Sequence, residues 1–497
     1  MSQRARNWLT PLVWVAGVCA ALLILFPLGF PNYDTIYALV WGRELAHGVS
    51  PDYGAALPPT PHPLSDLLGM VTTPLGDGAI TVTMVIAYVS LALVGYLVYR
   101  LGSLWFDRPI GAVAAAIVLT RAPFLSNGLR AYVDVPYIAL VLASLVMETR
   151  KPRAGWPVLT LLALAGLLRP EAWLFSIAYW LWLALDSPSL RRKLSYLSGK
   201  GSAAKLIWRG ERSSRELAWL ALLALAGPLC WVLFDGITTG NFLYSLTGTQ
   251  ETVETLKRHT GPVDLVLWGP RALGEVLQWP GMVGAVGGIV LAIAFLRQRA
   301  MLGFVAIILA LGAFALLAAA GLAIIARYTM LGGAILAIFV AVGLLGWRLI
   351  DNRDPWCRRW QVFAGVIVLM FVLWLPNQWD LDSTVHEDLS DQGTIERDLG
   401  DLADTGAFAT PLCGPIAVPN HRAIPRLAFN LDVKPTAIVS ASEDGVPRRG
   451  YFLEPASPFV IHNFILDPND PTRFSLTVPE GFQKVAANDS WVLFKRC

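Results

Sequence analysis

The sequence predicts a mainly α-helical polytopic membrane protein that ends in a small α/β domain. Its 497 residues are 55% hydrophobic and only 15% charged, and the mean hydropathy is +0.53. A soluble protein needs far more charge to cover its surface. Apolar runs long enough to cross a hydrocarbon core of about 30 Å recur from Leu9 to Leu375. The net charge of +3 is too small to indicate a nucleic-acid partner.

The apolar runs predict about eleven transmembrane helices. They lie at residues 9–30, 79–99, 109–125, 134–148, 155–168, 171–186, 217–235, 281–296, 300–322, 329–347 and 360–376. The first run is long and has no small-residue cleavage site, so we expect a retained helix and not a secretory signal. Surrounding membrane lipids are therefore expected partners.

The connections between these helices predict the topology. When every span is counted once, the Lys/Arg-rich connections fall on one side, which the positive-inside rule assigns to the cytoplasm. The N-terminus is then cytoplasmic, and the chain after the last span is extracytoplasmic. High Ala, Gly and Arg usage is typical of a GC-rich bacterial source, so a bacterial cell membrane is expected.

The chain divides by composition into a membrane domain, residues 1–376, and a soluble α/β domain, residues 377–497. After Asn377 charged residues return and the apolar runs shorten. Segments Thr436–Val439, Phe459–Ile465 and Trp491–Phe494 have the composition of short strands. This domain is predicted to face an oxidising compartment.

The cysteines separate according to this topology. Cys413 and Cys497 share the extracytoplasmic domain, which predicts a disulfide, with two unrelated buried thiols as the alternative. No CxxC motif or His-rich cluster indicates a structural metal. The sequence requires no cofactor and leaves open a divalent cation such as Mg²⁺ or Mn²⁺.

A polar stretch, Pro31–Leu64, follows the first span. A membrane protein places many ionisable groups beside a bilayer only where they meet water or a substrate. Asp34 opens an amphipathic segment at this edge, where a carboxylate could serve as a general base for an acceptor hydroxyl. Asp before TIYAL is also a good helix N-cap, and the spacing alone leaves both roles open.

Other ionisable residues are predicted at the same membrane face. Asp134 opens the fourth span and could share a substrate or a cation with Asp34, or cap its own helix. Arg327 and Tyr328 form a donor pair suited to a phosphate oxygen. Further phosphate-site candidates are His62, Lys257, Arg258 and His259, and further substrate-site candidates are Arg43, Glu44, Arg130, Arg169 and Glu171. As alternatives, Lys257–His259 could be a solvated loop face and Arg169 could snorkel from a tilted hairpin.

The order of these features resembles the GT-C superfamily of membrane glycosyltransferases, particularly its protein O-mannosyltransferase and lipid A aminoarabinose transferase branch. The resemblance rests on Asp34 and then, in order, WGRELAHGVSPDYGA, PTPHPL, Asp134, LLRPEAW, TGNFLYSLTG and ARYTMLGGAIL. It implies a polyprenyl-phosphate sugar donor and inverting transfer to a glycan, lipid or protein acceptor at the outer face of the cell envelope membrane. By position, Asp34 resembles the first-loop catalytic acid, Asp134 the second-loop acid, and Arg327 the arginine that holds the donor phosphate.

At two positions the sequence departs from the patterns of these two branches, and both departures concern which sugar and which acceptor would be used. His62 stands where aminoarabinose transferases carry a lysine before a double proline, and Thr35 stands where mannosyltransferases carry a second acid. The competing function is a transporter or flippase of lipid-linked envelope precursors, whose coupling carboxylates would lie near the bilayer midplane, often in repeated halves. The candidate acids here lie at one face and no repeat is visible, which favours transfer.

Overall fold

The computed structural model describes residues 3–185, 212–409, 411–464 and 478–497, and these are mostly helical. The helices are α1 Gln3–Leu25, α2 Tyr33–Ala46, α3 Pro63–Thr72, α4 Gly78–Trp105, α5 Arg108–Leu119, α6 Ala122–Leu129, α7 Asp134–Arg150, α8 Trp156–Gly166, α9 Glu171–Ala184, α10 Ser214–Thr239, α11 Tyr244–Thr255, α12 Gly261–Phe295, α13 Arg297–Ala319, α14 Ala326–Leu345, α15 Pro355–Asp404, α16 Ile424–Leu431 and α17 Pro458–Phe464.

Within the described ranges, six helices are long and apolar enough to cross a membrane. They are α4, α10, α12, α13, α14 with its following turn to Leu349, and α15. Helices α5 and α6 are together long and apolar enough to form a seventh span. This span would be broken, since the two helices are bent by 63° relative to each other. The predicted count of about eleven is not confirmed, since several predicted spans form helices shorter than the roughly 20 residues that a straight crossing needs.

Helix α14 forms the centre of the bundle, and every residue from Thr329 to Gly343 is buried. It packs closely on α12 at Gly288, where a Cβ would come within 1.9 Å of the Phe339 carbonyl oxygen. Only glycine permits this approach of the two backbones. The first turn of α14, which carries Arg327, therefore stands on a rigid support.

Helix α15 connects the bundle to the C-terminal region without a break. Its 50 residues span about 75 Å at 1.5 Å per residue. Pro376 lies inside this helix, so the domain boundary predicted at residues 376/377 falls within a continuous element. The division into two domains stays a prediction.

A five-stranded sheet forms the core of the C-terminal region, in the order β2-β1-β3-β5-β4. The strands are β1 Ile416–Val418, β2 Ile438–Ser440, β3 Gly450–Pro455, β4 Gln483–Ala487 and β5 Trp491–Arg496. β1 runs parallel to β2 and β3, whereas β5 pairs antiparallel with β3 and β4. The strand predicted from Phe459 is wrong: this segment forms α17, whose buried Val460 and Phe464 are spaced i, i+4 as on a helix face.

The predicted disulfide is confirmed: Cys413 and Cys497 are joined, with their Cα atoms 5.8 Å apart. It links the segment before β1 to the residue after β5, across a sequence separation of 84. In the loop-entropy model, closing a loop of that length lowers the entropy of the unfolded chain, which raises the free energy of unfolding by about 4–5 kcal/mol.

Helix α2 shares a hydrophobic core with the C-terminal region. Tyr37 and Trp41 on α2 belong to the same buried cluster as Ile416, Leu427 and Tyr451. The helix that begins beside Asp34 is therefore fixed along its length by the C-terminal region.

Candidate active site

Asn32, not Asp34, caps α2. The Asn32 side-chain oxygen accepts hydrogen bonds from the backbone N–H groups of Asp34, at 2.8 Å, and Thr35, at 3.2 Å. The alternative that Asp34 caps this helix is therefore wrong. Asp34 lies in the first turn, and its carboxylate is left for other contacts.

The start of α2 is tied to the turn that precedes α7. Asn32 donates to the Arg130 carbonyl from its backbone N at 2.9 Å and from Nδ2 at 2.8 Å. The Thr35 hydroxyl donates to the Ala131 carbonyl at 2.8 Å, and Ala131 adopts the left-handed backbone conformation, with φ +55°. Thr35 thus holds the turn that leads to Asp134.

Arg327 joins the two predicted acids. Its Nη1 lies 3.2 Å from Asp34 Oδ2, and its Nε lies 3.8 Å from Asp134 Oδ2. The Asp134 side chain is only 3% exposed, whereas those of Asp34 and Arg327 are 22% and 21% exposed. The guanidinium also lies over the rings of Tyr132 and Tyr328. Three residues from distant parts of the chain therefore meet at one partly open point.

A second, buried arginine supports this group from behind. Arg169 Nη1 lies 3.5 Å from Asp134 Oδ1, and its Nη2 lies 2.8 Å from Glu171 Oε1. The Tyr328 ring lies under the Arg169 guanidinium at 4.2 Å. Arg169 is 4% exposed, so the alternative that it snorkels to the membrane surface is wrong.

The acids stand at helix N-termini. Asp34, Asp134 and Glu171 lie in the first turns of α2, α7 and α9, and Arg327 lies in the first turn of α14. Helix N-termini carry partial positive charge and unpaired N–H groups, which favour anions. The field at this end of the bundle therefore suits both the carboxylates and an incoming anionic ligand.

His62 joins the site as a neutral side chain. It is buried, and its ring packs edge-on against Trp231 with the ring centroids 5.6 Å apart. Burial, followed by the charge of Arg169, lowers the pKa of His62 to about 3. At neutral pH the imidazole can therefore offer a hydrogen bond but no positive charge.

Four buried polar atoms of the site have no hydrogen-bond partner among the described residues. They are Asp134 Oδ2, Glu171 Oε2, Arg327 Nε and His62 Nδ1. Native proteins satisfy most of their buried polar atoms. A concentration of unsatisfied donors and acceptors in one place is typical of a site shaped for a polar ligand.

Arg43 and Glu44 do not meet these acids. They lie nine and ten residues beyond Asp34, about 14 Å along α2 at 1.5 Å per residue. Arg43 donates to the carbonyls of Ala428 and Phe429 at 2.8 and 2.9 Å, and Glu44 accepts from the Asp52 backbone N–H at 2.8 Å. Their contacts hold α2 against the C-terminal region and fold the following loop, and their predicted role in substrate binding stays a prediction.

The other predicted basic residues are also engaged elsewhere. The Arg130 side chain donates to Gln392 at 2.8 Å and pairs with Asp388 on α15 at 3.5 Å. His259 stacks on Trp268 at 4.1 Å and lies 3.2 Å from Asp264. The role of Lys257, Arg258 and His259 in phosphate binding stays a prediction.

Sequence reasoning missed Asn32, Tyr132 and Trp231. A signal existed for Asn32, because asparagine two residues before an acid at a helix start is a strong cap. Tyr132 stands two residues before Asp134 in RAYVDV, but nothing in that pattern indicates an arginine stacked on its ring. Trp231 lies inside an apolar run that predicts only a membrane helix.

The structure leaves the metal question open. No group of three or more His, Cys, Asp or Glu side chains converges as a metal site in the part of the chain that is described. The Arg327 guanidinium contacts both Asp34 and Asp134. A divalent cation bridging those two carboxylates would have to displace it.

Two cavities border α12, and the smaller one reaches the residues directly before Arg327. The larger, of about 820 Å³, lies between α6, α12 and α15 and is lined mostly by apolar side chains, including Trp279, Met282 and Trp374. The smaller, of about 390 Å³, is lined by Ile325 and Ala326, the residues directly before Arg327. Both cavities border the same pair of residues on α12, Arg271 and Glu275.

No protein-family model and no curated protein matches this sequence. Solved structures do match. The crystal structure of ArnT from Cupriavidus metallidurans bound to undecaprenyl phosphate is similar over 99% of this chain and 98% of that chain, with a TM-score of 0.55 and 14% identity. The apo structure of ArnT from the same organism gives the same coverage, with a TM-score of 0.51 and 15% identity. At these identities the likeness concerns the fold alone, and the chain has the fold of these ArnT structures.

Proposed function

We propose that this chain is a glycosyltransferase that moves a sugar from a polyprenyl-phosphate donor to an acceptor hydroxyl at the extracytoplasmic membrane face. The observation that carries the proposal is the Arg327 guanidinium between the carboxylates of Asp34 and Asp134, at 3.2 and 3.8 Å. The shared fold with an ArnT structure that binds undecaprenyl phosphate supports a lipid phosphate as the sugar carrier.

Arg327 suits the donor phosphate. It stands in the first turn of α14, where the helix dipole also favours an anion. Its buried Nε lacks a hydrogen-bond acceptor. A planar guanidinium can bind two phosphate oxygens at once, and His62 can add an uncharged hydrogen bond.

The larger cavity suits the donor lipid. It lies between α6, α12 and α15, is lined mostly by apolar side chains and could hold part of the polyprenyl chain. The smaller cavity has a mixed polar and apolar lining and borders Ile325 and Ala326, directly before Arg327. A donor with its tail in the larger cavity could pass its polar head group through the smaller one to Arg327.

In the proposed reaction, Asp34 accepts the proton of the acceptor hydroxyl. The hydroxyl oxygen attacks the anomeric carbon from the face opposite the phosphate, which inverts the configuration at that carbon. The bond from the carbon to the phosphate oxygen breaks, and the polyprenyl phosphate leaves with the bonding electrons. The phosphate gains negative charge as it leaves, and Arg327 would stabilise that charge in the transition state.

Asp134 is proposed to position Arg327. Its two oxygens face Arg169 and Arg327, and its side chain is 3% exposed, which leaves little access for an acceptor. Asp34 is more exposed and has one arginine partner. We therefore assign proton transfer to Asp34 alone.

The transporter alternative is less well supported by this geometry. Coupling carboxylates of transporters lie near the bilayer midplane. Here Asp34, Asp134 and Glu171 all occupy first turns of helices, at the end of the bundle where Arg327 lies. Acids at an edge suit a reaction between a lipid head group and an acceptor in water.

Assay in detergent micelles separates the two functions, because micelles have no bilayer for a lipid to cross. The purified chain is mixed with a panel of undecaprenyl-phosphate sugars and a bacterial envelope extract as acceptor, and released undecaprenyl phosphate is measured by mass spectrometry. With one donor we expect release of undecaprenyl phosphate at least about tenfold above the protein-free background. Enzymes accelerate reactions by far more than this factor. No release with any donor, combined with transbilayer movement of the lipid in vesicles, would favour the flippase.

A further inference from the structure

Two arginines of the C-terminal region lie on the turn and the helix that follow β1. Arg422 belongs to the short turn His421–Ala423, and Arg426 lies four residues later on α16. Residues four apart on a helical path project to the same side. Neither side chain makes a hydrogen bond or ion pair with any described residue, and the Nε atom of each is buried. Both side chains are half-buried, and a buried donor atom without an acceptor is costly.

The facing helix, α15, does not neutralise the positive charges of both Arg422 and Arg426. Arg426 lies against the backbone of Gly400, where a Cβ would come within 2.7 Å of its Nη2. One turn earlier on α15 is Glu396, whose pKa burial raises to about 7 against the opposing charges of Arg426 and Arg422. Near neutral pH this single acid is only partly ionised, so the space between α15 and α16 keeps an excess of positive charge.

A third donor lies on the same turn. Asn420 is fully buried, and its Oδ1 accepts the Arg422 backbone N–H at 2.9 Å. Its Nδ2 group has no acceptor among the described residues. Three buried donor groups that lack acceptors therefore occur within seven residues of the chain.

This turn lies beside the candidate catalytic acid. The His421 ring packs edge-on against the Tyr33 ring, with the centroids 5.5 Å apart, and Tyr33 directly precedes Asp34. Burial raises the pKa of Tyr33, and the nearby charge of Arg422 opposes the rise. Arg327, the proposed donor-phosphate ligand, belongs to the bundle and not to this turn.

We propose that Asn420, Arg422 and Arg426 form an anion-binding subsite that holds a phosphate or carboxylate group of the acceptor beside Asp34. The inference rests on the proposed function, because only glycosyl transfer defines an acceptor. The guanidinium fork of arginine matches the oxygens of both anions. An acceptor bound there would present a neighbouring hydroxyl to Asp34.

Inorganic phosphate is a direct probe, and its binding needs no turnover. The purified full-length chain in micelles is titrated with phosphate against chloride at matched ionic strength, and the melting temperature is measured. A ligand that binds only the folded state raises the melting temperature with concentration. We expect a saturable rise of about 2 °C or more in the wild type.

The variants separate this subsite from the donor site. Arg422→Gln and Arg426→Gln should abolish the phosphate-dependent rise. Arg449→Gln, which changes an exposed arginine of the same region, and Arg327→Ala should both retain it. Glu396→Gln removes the competing acid and should lower the half-saturating phosphate concentration by about threefold or more at pH near 8. This last variant adds no cavity and keeps the test decisive if an arginine variant fails to fold.

The inference is overturned if the wild type shows no saturable rise, or if the rise persists in folded Arg426→Gln. It is equally overturned if Arg327→Ala or saturating undecaprenyl phosphate abolishes the rise, since the phosphate would then occupy the donor site. Because turnover is not measured, a negative result leaves the proposed glycosyl transfer untouched. Failure of the micelle assay with a normal phosphate response would instead contradict the proposed function alone.

Discussion

Asp34→Asn is expected to lower kcat for sugar transfer by about 10²- to 10⁴-fold, the usual contribution of a general base. Asparagine keeps the size of the side chain and can still accept a hydrogen bond from Arg327 Nη1, which lies 3.2 Å from the carboxylate. It cannot take the proton of an acceptor hydroxyl. Steady-state release of polyprenyl phosphate measures the loss, and a melting curve checks that the fold is intact.

The matched control is Asp77→Asn. Asp77 is an exposed acid at the start of α4, and its side chain makes no capping hydrogen bond. We expect kcat to stay within about twofold of the wild type, as for most exposed substitutions. Donor affinity of Asp34→Asn should not fall, because the change removes a negative charge near the phosphate. Turnover close to normal in folded Asp34→Asn would exclude Asp34 as the base.

Arg327→Ala is expected to weaken binding of undecaprenyl phosphate by about 10- to 100-fold, corresponding to the 1.5–3 kcal/mol typical of hydrogen bonds to charged groups. The variant also leaves the carboxylates of Asp34 and Asp134 without the cation between them, and these would repel the phosphate. Isothermal titration in micelles gives the dissociation constant directly.

Two variants control for charge and for general destabilisation. Arg327→Lys keeps the positive charge but loses the planar fork, so its affinity should fall between those of the wild type and Arg327→Ala. Arg348→Ala removes an arginine just beyond the opposite end of α14, where it pairs with Asp107 at 3.9 Å. The affinity of Arg348→Ala for undecaprenyl phosphate should equal that of the wild type. Equal affinity in Arg327→Ala and the wild type would show that the phosphate binds elsewhere.

The central triad was predictable because ionisable residues beside apolar runs are rare and costly. Asp34, Asp134 and Arg327 each border such a run, and in the structure Arg327 lies 3.2 Å from Asp34 and 3.8 Å from Asp134. The disulfide between Cys413 and Cys497 was predictable for a similar reason, because topology placed both cysteines in one compartment.

The supporting contacts could not be predicted from the sequence. Arg43 lies in the polar stretch that suggested a substrate site, yet its side chain donates to the carbonyl of Phe429, 386 residues further along the chain. Thr35 stands where mannosyltransferases carry a second acid, yet its hydroxyl donates to the Ala131 carbonyl in the turn before α7. The count of about eleven spans is not confirmed for a different reason: hydropathy counts apolar runs, whereas α5 and α6 form a pair of helices bent by 63°.

A structure with a bound polyprenyl-phosphate sugar is the most direct test of the roles proposed for Arg327 and Asp34. We expect the donor phosphate within about 3.5 Å of the Arg327 guanidinium, and Asp34 within reach of an acceptor oxygen placed about 3–3.5 Å from the anomeric carbon. The lipid tail should continue past Ile325 and Ala326 into the apolar cavity. A phosphate bound away from Arg327, with Asp34 facing away from the anomeric carbon, would contradict these roles.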